Sequence, residues 1–228
     1  MSEPLAIEAL PVEQRAALLL QLRSASVRDA AVMGAFEQVP RELFTPHRFR
    51  DLANRNMALP IGCGQTMPAP ADLARRLEAL GAGPEHRVLE IGAGSGYSAA
   101  VLSRLAKEVM SIERFQTLAI EAASRLSSLG VDNALVVCAD GLAPSRSTEL
   151  FDRVIMHLSL EEAPMAVLNL LAPGGVMVFG RFLAAIPGAR REARLIRLER
   201  SATGDMFSET DKGPCRLSAY CAGRALAL

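Results

Sequence analysis

Three glycines at alternate positions follow a short apolar run in Val88-Leu89-Glu90-Ile91-Gly92-Ala93-Gly94-Ser95-Gly96-Tyr97. Glycine lets a backbone come close to a ligand, and a helix starting behind such a turn offers free N–H groups. The same glycines also suit any tight strand-to-helix turn. The spacing is Gly-x-Gly-x-Gly with Glu90 just before it, not the Gly-x-Gly-x-x-Gly of dinucleotide-binding turns. Glu113 lies 17 residues beyond Gly96 and closes a second apolar run. A carboxylate there can accept hydrogen bonds from both hydroxyls of a ribose. Asp140-Gly141 closes a third run, placed to meet an adenine edge. Each acid taken singly is equally a helix cap. A glycine turn followed in order by two strand-end acids is a much more specific signal for a nucleoside.

A second stretch, IGCGQTMPAPA over residues 61–71, sets the polar pair Gln65-Thr66 between two glycines and two prolines. Pro68 and Pro70 lack a backbone N–H and stiffen the chain around that pair. The expectation is a rigid loop held over a ligand. Cys63, between Gly62 and Gly64, reads as a small hydrophobe.

The elements that position these groups follow from periodicity. Apolar residues at Leu18, Leu19, Leu22, Val27, Ala31, Val32, Ala35 and Phe36 predict a helix from Val12 to about Val39. Pro40 ends or re-aims it, and RELFTPHRFRDLANR reads as a turn and connector. A second helix is expected from Asp72 to Leu80, stopped by Gly81 and Gly83. Strands (RVLEI, EVMSIE, ALVVC, FDRVIMHLS, VMVFGRF) then alternate with helices (YSAAVLSRLA, FQTLAIEAASRLSSLG, APMAVLNLLAPGG). ARLIRLERS and CRLSAYCAG read as a closing antiparallel pair. Such alternation predicts an α/β fold: a doubly wound, mostly parallel sheet with helices on both faces and an antiparallel C-terminal strand pair. Ligands of these sheets sit at the carboxyl ends of the strands, where the strand order reverses. The expected division is a helical extension with the covering loop over residues 1–80 and a ligand-binding domain over residues 81–228.

Composition narrows the partners. The chain has 228 residues, 50% hydrophobic, enough for a sizeable core. Lys plus Arg and Asp plus Glu number 25 each, so no basic excess points to nucleic acid or an acidic membrane. The local basic run GARREARLIRLER from Gly188 reads as the solvated face of a hairpin. Cys63, Cys138, Cys215 and Cys221 form no CxxC and no metal-ligand pattern with the three histidines. They read as reduced thiols of a cytoplasmic protein, with no metal expected. No signal peptide and no apolar run near the roughly 20 residues of a membrane span is found. The oligomeric state is not legible.

Together VLEIGAGSGY, SIE and ADG resemble the cofactor site of class I S-adenosylmethionine-dependent methyltransferases, which have a Rossmann-like fold. The resemblance implies that Gly92 and Gly94 face the methionine part, Glu113 the ribose and Asp140 the adenine. The candidate cofactor-binding set is Gln65, Thr66, Met67, Glu90, Gly92, Gly94, Gly96, Glu113, Arg114, Asp140 and Gly141. An NAD-dependent enzyme would share the sheet, but the glycine spacing and Asp140-Gly141 argue against it. VPRELF, ALPIGCGQTMPAP and the glycine turn, in that order, are similar to the protein-L-isoaspartate O-methyltransferase family. The resemblance runs from about Val27 to the C-terminus. It implies a carboxyl O-methyltransferase that uses S-adenosyl-L-methionine on a peptide or protein carboxylate, in repair of damaged proteins.

Such a reaction needs no general base, since an aspartyl-type carboxylate with a pKa of about 4 is ionised at neutral pH. Alignment and exclusion of water carry it. The chain departs from the family loop Gln-Thr-Ile-Ser: it has Gln65-Thr66-Met67-Pro68, so the family's substrate-contacting serine has no counterpart. Ala71 replaces the bulky residue after the loop proline, and MHLSLEEAP replaces a run of small residues after the fourth strand. Thr66 is then the candidate catalytic residue, its hydroxyl free to take over the carboxylate contact. His157 or Ser159 is placed to line an acceptor pocket, though packing or the surface is the commoner place for a histidine such as His157. Two rival readings follow from the departures: a methyltransferase of the same fold with another small-molecule or peptide acceptor, and a cofactor-binding module without turnover.

Overall fold

The computed structural model describes residues 12–143, 149–185 and 191–226. Its N-terminal part is two helices rather than one: α1 (Val12–Ser24) and α2 (Ala30–Gln38). The apolar pattern runs on without a gap, but Ser26 adopts φ 69°. Asp29 then accepts the N–H of Val32 at 3.0 Å as an N-cap, which restarts the helix on a new axis. Two 3₁₀ turns, Arg41–Phe44 and His47–Leu52, fill the expected connector.

The presumed loop is a β-hairpin. β1 (Leu59–Pro60) pairs antiparallel with β2 (Thr66–Met67) in the register Leu59–Met67 and Pro60–Thr66. Its turn has Cys63 at φ 54° and Gly64 at φ 62°, the double positive φ of a type I′ hairpin turn. Helix α3 (Pro70–Leu80) starts with proline in its first turn and stops at Gly81, left-handed at φ 62°.

The sheet then builds through β3 (Arg87–Ile91), α4 (Tyr97–Leu102), β4 (Glu108–Glu113), α5 (Gln116–Ser128), β5 (Ala134–Cys138), β6 (Phe151–Leu160), α6 (Met165–Leu168), β7 (Leu171–Phe182), β8 (Ala193–Arg200) and β9 (Phe207–Cys215). Strand order is β5-β4-β3-β6-β7-β8-β9, with β3 to β7 parallel and the last two strands antiparallel. The chain leaves β3 in one direction for β4 and β5 and returns on its other side as β6. The switch point lies between β3 and β6.

Two expectations need correction at the C-terminal side. The helix expected over APMAVLNLLAPGG is one turn, because Leu171 already pairs with Phe151 in the sheet. The partner of β8 is residues 207–215, not CRLSAYCAG. That later segment forms β10 (Ser218–Ala219), which runs parallel to β6 at Leu158 and Ser159. Pairing of β3 with β6 ends at Met156, so β10 takes up the edge of β6 where β3 leaves it. Of the basic run, Gly188, Ala189 and Arg190 lie outside the described residues; the remainder enters β8.

One apolar cluster joins Leu18, Leu22, Phe36 and Phe44 of the N-terminal part to Leu73, Leu77, Tyr97, Val178 and Leu195. A second, around Leu89, Met156, Val167 and Phe179, covers the opposite sheet face. The helices that precede the sheet are thus cemented to it.

Candidate active site

The glycine turn has the backbone its sequence requires. Gly92, Gly94 and Gly96 sit at φ 96°, 55° and 86°. They serve different ends. A Cβ on Gly96 would approach Ala122 of α5 to 3.0 Å, so this glycine lets two helices meet. Gly92 and Gly94 instead line the hollow above the switch point.

Glu113, at the end of β4, is 5% exposed. It accepts the N–H of Gly94 at 2.8 Å and that of Phe115 at 2.9 Å. A carboxylate has about four acceptor positions, so two remain for a diol. Asp140, at the end of β5, is more fully engaged. It accepts the N–H of Leu142 at 3.0 Å and of Gly223 at 2.7 Å, and the Tyr220 hydroxyl lies 2.9 Å from each of its oxygens. Partial burial alone would raise its pKa, but the Gly223, Leu142 and Tyr220 donors outweigh it and lower the value.

A hollow of about 230 Å³ brings together Gln65, Gly92, Glu113, Arg114, Asp140 and Gly141. An adjoining one of about 100 Å³ adds Thr66, Met67 and Gly94. Nine of the eleven candidate residues therefore line these two hollows, which share Gln65, Gly92 and Glu113. Glu90 and Gly96 lie behind their wall. Nothing in sequence marked the segment after β9 as part of this wall, yet Ser218, Tyr220 and Cys221 close one side. Arg114 secures it by donating to the carbonyls of Gly223 and Ala222 at 3.1 and 3.3 Å.

The hairpin reaches the hollow because Arg41 holds it there. This arginine, 2% exposed, donates to the carbonyls of Ala53 (2.6 Å), Met57 (3.0 Å) and Pro68 (2.8 Å). It thereby cross-braces VPRELF against the end of the hairpin, and desolvation brings its pKa down to about 10. Thr66 is exposed and Met67 buried, as alternation along a strand dictates. Ser95 donates to the Met67 sulfur at 3.5 Å and ties the hairpin to the glycine turn. The hairpin is thus braced at both ends, with Thr66 lining the smaller hollow.

Beneath the turn lies a polar chain. Glu90, fully buried, accepts from Ser111 and is 2.9 Å from Nε2 of His157. Arg76 Nη1 is 2.6 Å from Nδ1 of His157. Arginine only donates, so Nδ1 accepts and the Nε2 proton points to Glu90. Desolvation first, then the Arg76 charge, lowers the His157 pKa despite Glu90. His157 lines the hollow and at the same time spans two buried groups. Ser159, the other candidate, is 1% exposed, its hydroxyl has no partner among the described residues, and it does not line the hollow.

The pattern describing protein-L-isoaspartate(D-aspartate) O-methyltransferases matches residues 13–212. The chain belongs to this family. A protein-L-isoaspartate O-methyltransferase 2 of Rhodopseudomonas palustris (strain HaA2) is 44% identical over 195 residues, 85% of this chain and 87% of the relative. The protein-L-isoaspartate O-methyltransferase of Maricaulis maris is 39% identical over 219 residues, 96% and 99% of the two chains. Among solved structures, a protein-L-isoaspartate O-methyltransferase superposes with TM-score 0.76 at 23% identity, over 91% of this chain and 66% of that one. A beta-aspartate methyltransferase of Plasmodium falciparum, in complex with S-adenosyl-L-homocysteine, gives 0.73 at 18% identity, over 90% and 97%. These two establish the shared fold. Within the family's frame, VPRELF is the brace and GQTMP the braced hairpin. No cluster of three or more metal-binding side chains occurs among the described residues. No helix among them is long and apolar enough to cross a membrane.

Proposed function

We propose that this chain is an S-adenosylmethionine-dependent carboxyl O-methyltransferase acting on isoaspartyl residues of damaged peptides or proteins. One observation carries the reading: the glycine turn, Glu113 and the Thr66 edge of a braced hairpin converge on one space at the sheet's switch point, in a member of this family. The residues fit the cofactor. Gly92 and Gly94 leave room for close backbone approach, Glu113 keeps two acceptor positions, and the hollow ends at Asp140 and Gly141. We assign residues 1–80 to covering the site and residues 81–228 to binding the nucleoside.

When bound, S-adenosylmethionine supplies an electrophilic methyl group on a sulfonium. The chain's own part is to hold and dry the reactants. Glu113 would accept from the ribose, and the Asp140-Gly141 turn would border the adenine. Gln65, Thr66 and Met67 would cover the sulfur-bearing end. The acceptor carboxylate arrives ionised, so no side chain need remove a proton. The Thr66 hydroxyl donates to it and fixes its angle. A dehydrated anion beside a cation, correctly aligned, accounts for the rate gain.

Transfer of labelled methyl groups to an isoaspartyl peptide, against the same peptide with ordinary aspartate, tests this directly. Incorporation confined to the first is the expected result; none at high enzyme concentration rejects the repair reading. A second reading, another carboxylic acceptor, is favoured by Pro68, which has neither hydroxyl nor N–H and whose carbonyl is committed to Arg41. Turnover on such an acceptor without isoaspartyl activity would single it out.

A further inference from the structure

Arg76 of α3 is 3% exposed yet forms no ion pair among the described residues. Its Nε donates to the Asp72 carbonyl at 3.1 Å and its Nη1 to His157, while Nη2 has no acceptor there. That open edge faces the groove, where an arriving anion would meet a guanidinium already largely stripped of water. Arg76 walls a groove of about 370 Å³ between α3 and residues 212–217, together with Arg75, Lys212 and Arg216. The groove's two acids are already engaged. Asp72 binds Arg75 at 2.6 Å, and Glu78 accepts the N–H groups of Arg28 and Asp29 at 2.7 and 2.8 Å. Asp72 and the buried Glu90 favour the Arg76 cation without pairing with it, and Lys212 and Arg216 form no ion pair among the described residues. Burial lowers the Arg76 pKa to about 10, so it remains a cation at neutral pH.

The groove adjoins the cofactor hollow. Asp72 and Leu217 line the one, their neighbours Leu73 and Ser218 line the other, and the His157 ring stands between Arg76 and the hollow. We propose that Arg76 receives an acidic side chain of the methyl-accepting peptide, one or two residues from the methylated carboxylate, so that damaged sites flanked by Asp or Glu are preferred. This rests on the reading of the chain as a peptide carboxyl methyltransferase. An extended peptide advances about 3.3–3.6 Å per residue, so one or two residues carry a side chain past a ring whose near nitrogen lies 2.6 Å from Arg76. A carboxylate pairing with a desolvated arginine gains from charge-assisted hydrogen bonds and a weakly screened attraction. Lys212 and Arg216, exposed at the rim, steer it in.

The test is fluorescence anisotropy of two labelled isoaspartyl peptides, flanked by Glu or by Gln, with S-adenosylhomocysteine present. No turnover is needed, so the outcome is separate from whether methyl transfer occurs. The wild-type chain is expected to bind the Glu peptide at least tenfold more tightly. Arg76→Met should bring the ratio close to one. Lys212→Gln combined with Arg216→Gln, both exposed, should lower it two- to fivefold. A wild-type ratio of one, or a ratio preserved in folded Arg76→Met, overturns the proposal. If that variant does not fold, an unchanged ratio in the rim double variant overturns it instead. Selective binding of the Glu peptide without methylation would leave the docking role standing and remove the isoaspartyl reading.

Discussion

Thr66 and Pro68 stand one residue apart, and only the first can donate a hydrogen bond to a carboxylate. Thr66→Ala should therefore lower methyl transfer to an isoaspartyl peptide roughly ten- to hundredfold, the rate equivalent of about 1–3 kcal/mol, as initial rates will show. Pro68→Ser should gain less than that. Equal rates in all three proteins would take this edge out of the mechanism. Cys63, read in sequence as a small hydrophobe, has its place set by backbone instead: φ 54° beside Gly64. Asn-Gly is the preferred pair for such a turn, so Cys63→Asn should raise stability by about 0.5–1 kcal/mol in thermal melts. His157 is held neutral with a pKa below its ordinary 6.5. The unfolded chain then takes up the proton first as pH falls. The stability this histidine contributes is complete above pH 6.5 and is lost on acidification through its folded value. Melting temperatures between pH 7.5 and 5 should fall more steeply for the wild type than for His157→Gln. Glu113 was legible because it closes a strand at a recognisable interval. The link from Arg76 through His157 to Glu90 was not, since it joins three distant segments and no local spacing encodes it.

At the scale of elements, the hairpin depends on a residue outside it. Arg41→Leu would leave the carbonyls of Ala53, Met57 and Pro68 without their donor, the first of them buried, at a cost on the order of 3 kcal/mol. Denaturant midpoints should drop accordingly. Isothermal calorimetry of the folded fraction should also show weaker S-adenosylhomocysteine binding, because the cover is no longer braced. The parallel strands were readable as apolar runs ending in Gly, Glu or Asp. The hairpin was missed because two-residue strands give no periodicity. The break between α1 and α2 was missed because the apolar pattern crosses it, and only the left-handed Ser26 and the Asp29 cap reveal it. Tertiary pairing likewise overrode helix propensity after Leu168, where β7 begins at Leu171.

For the molecule as a whole, the segment after β9 crosses the ends of β6, β5 and β4 in turn. Its residues carry no motif, and their contribution to the wall emerges only when the sheet is assembled. Tyr220→Ala would open that wall and release Asp140. The expected loss in S-adenosylhomocysteine affinity is about tenfold, near 1.4 kcal/mol, while Tyr220→Phe, which retains the ring, should lose less. The proposed division at residue 80 is one of duties and not of packing, since the cluster from Leu18 to Leu195 crosses it without interruption. A calorimeter should accordingly register a single endotherm, with no early shoulder for the leading helices. An inherited lesion at Leu22 or Phe36, far from any nucleoside, would then diminish catalysis by depleting the folded population and would leave the Michaelis constant of each surviving molecule intact.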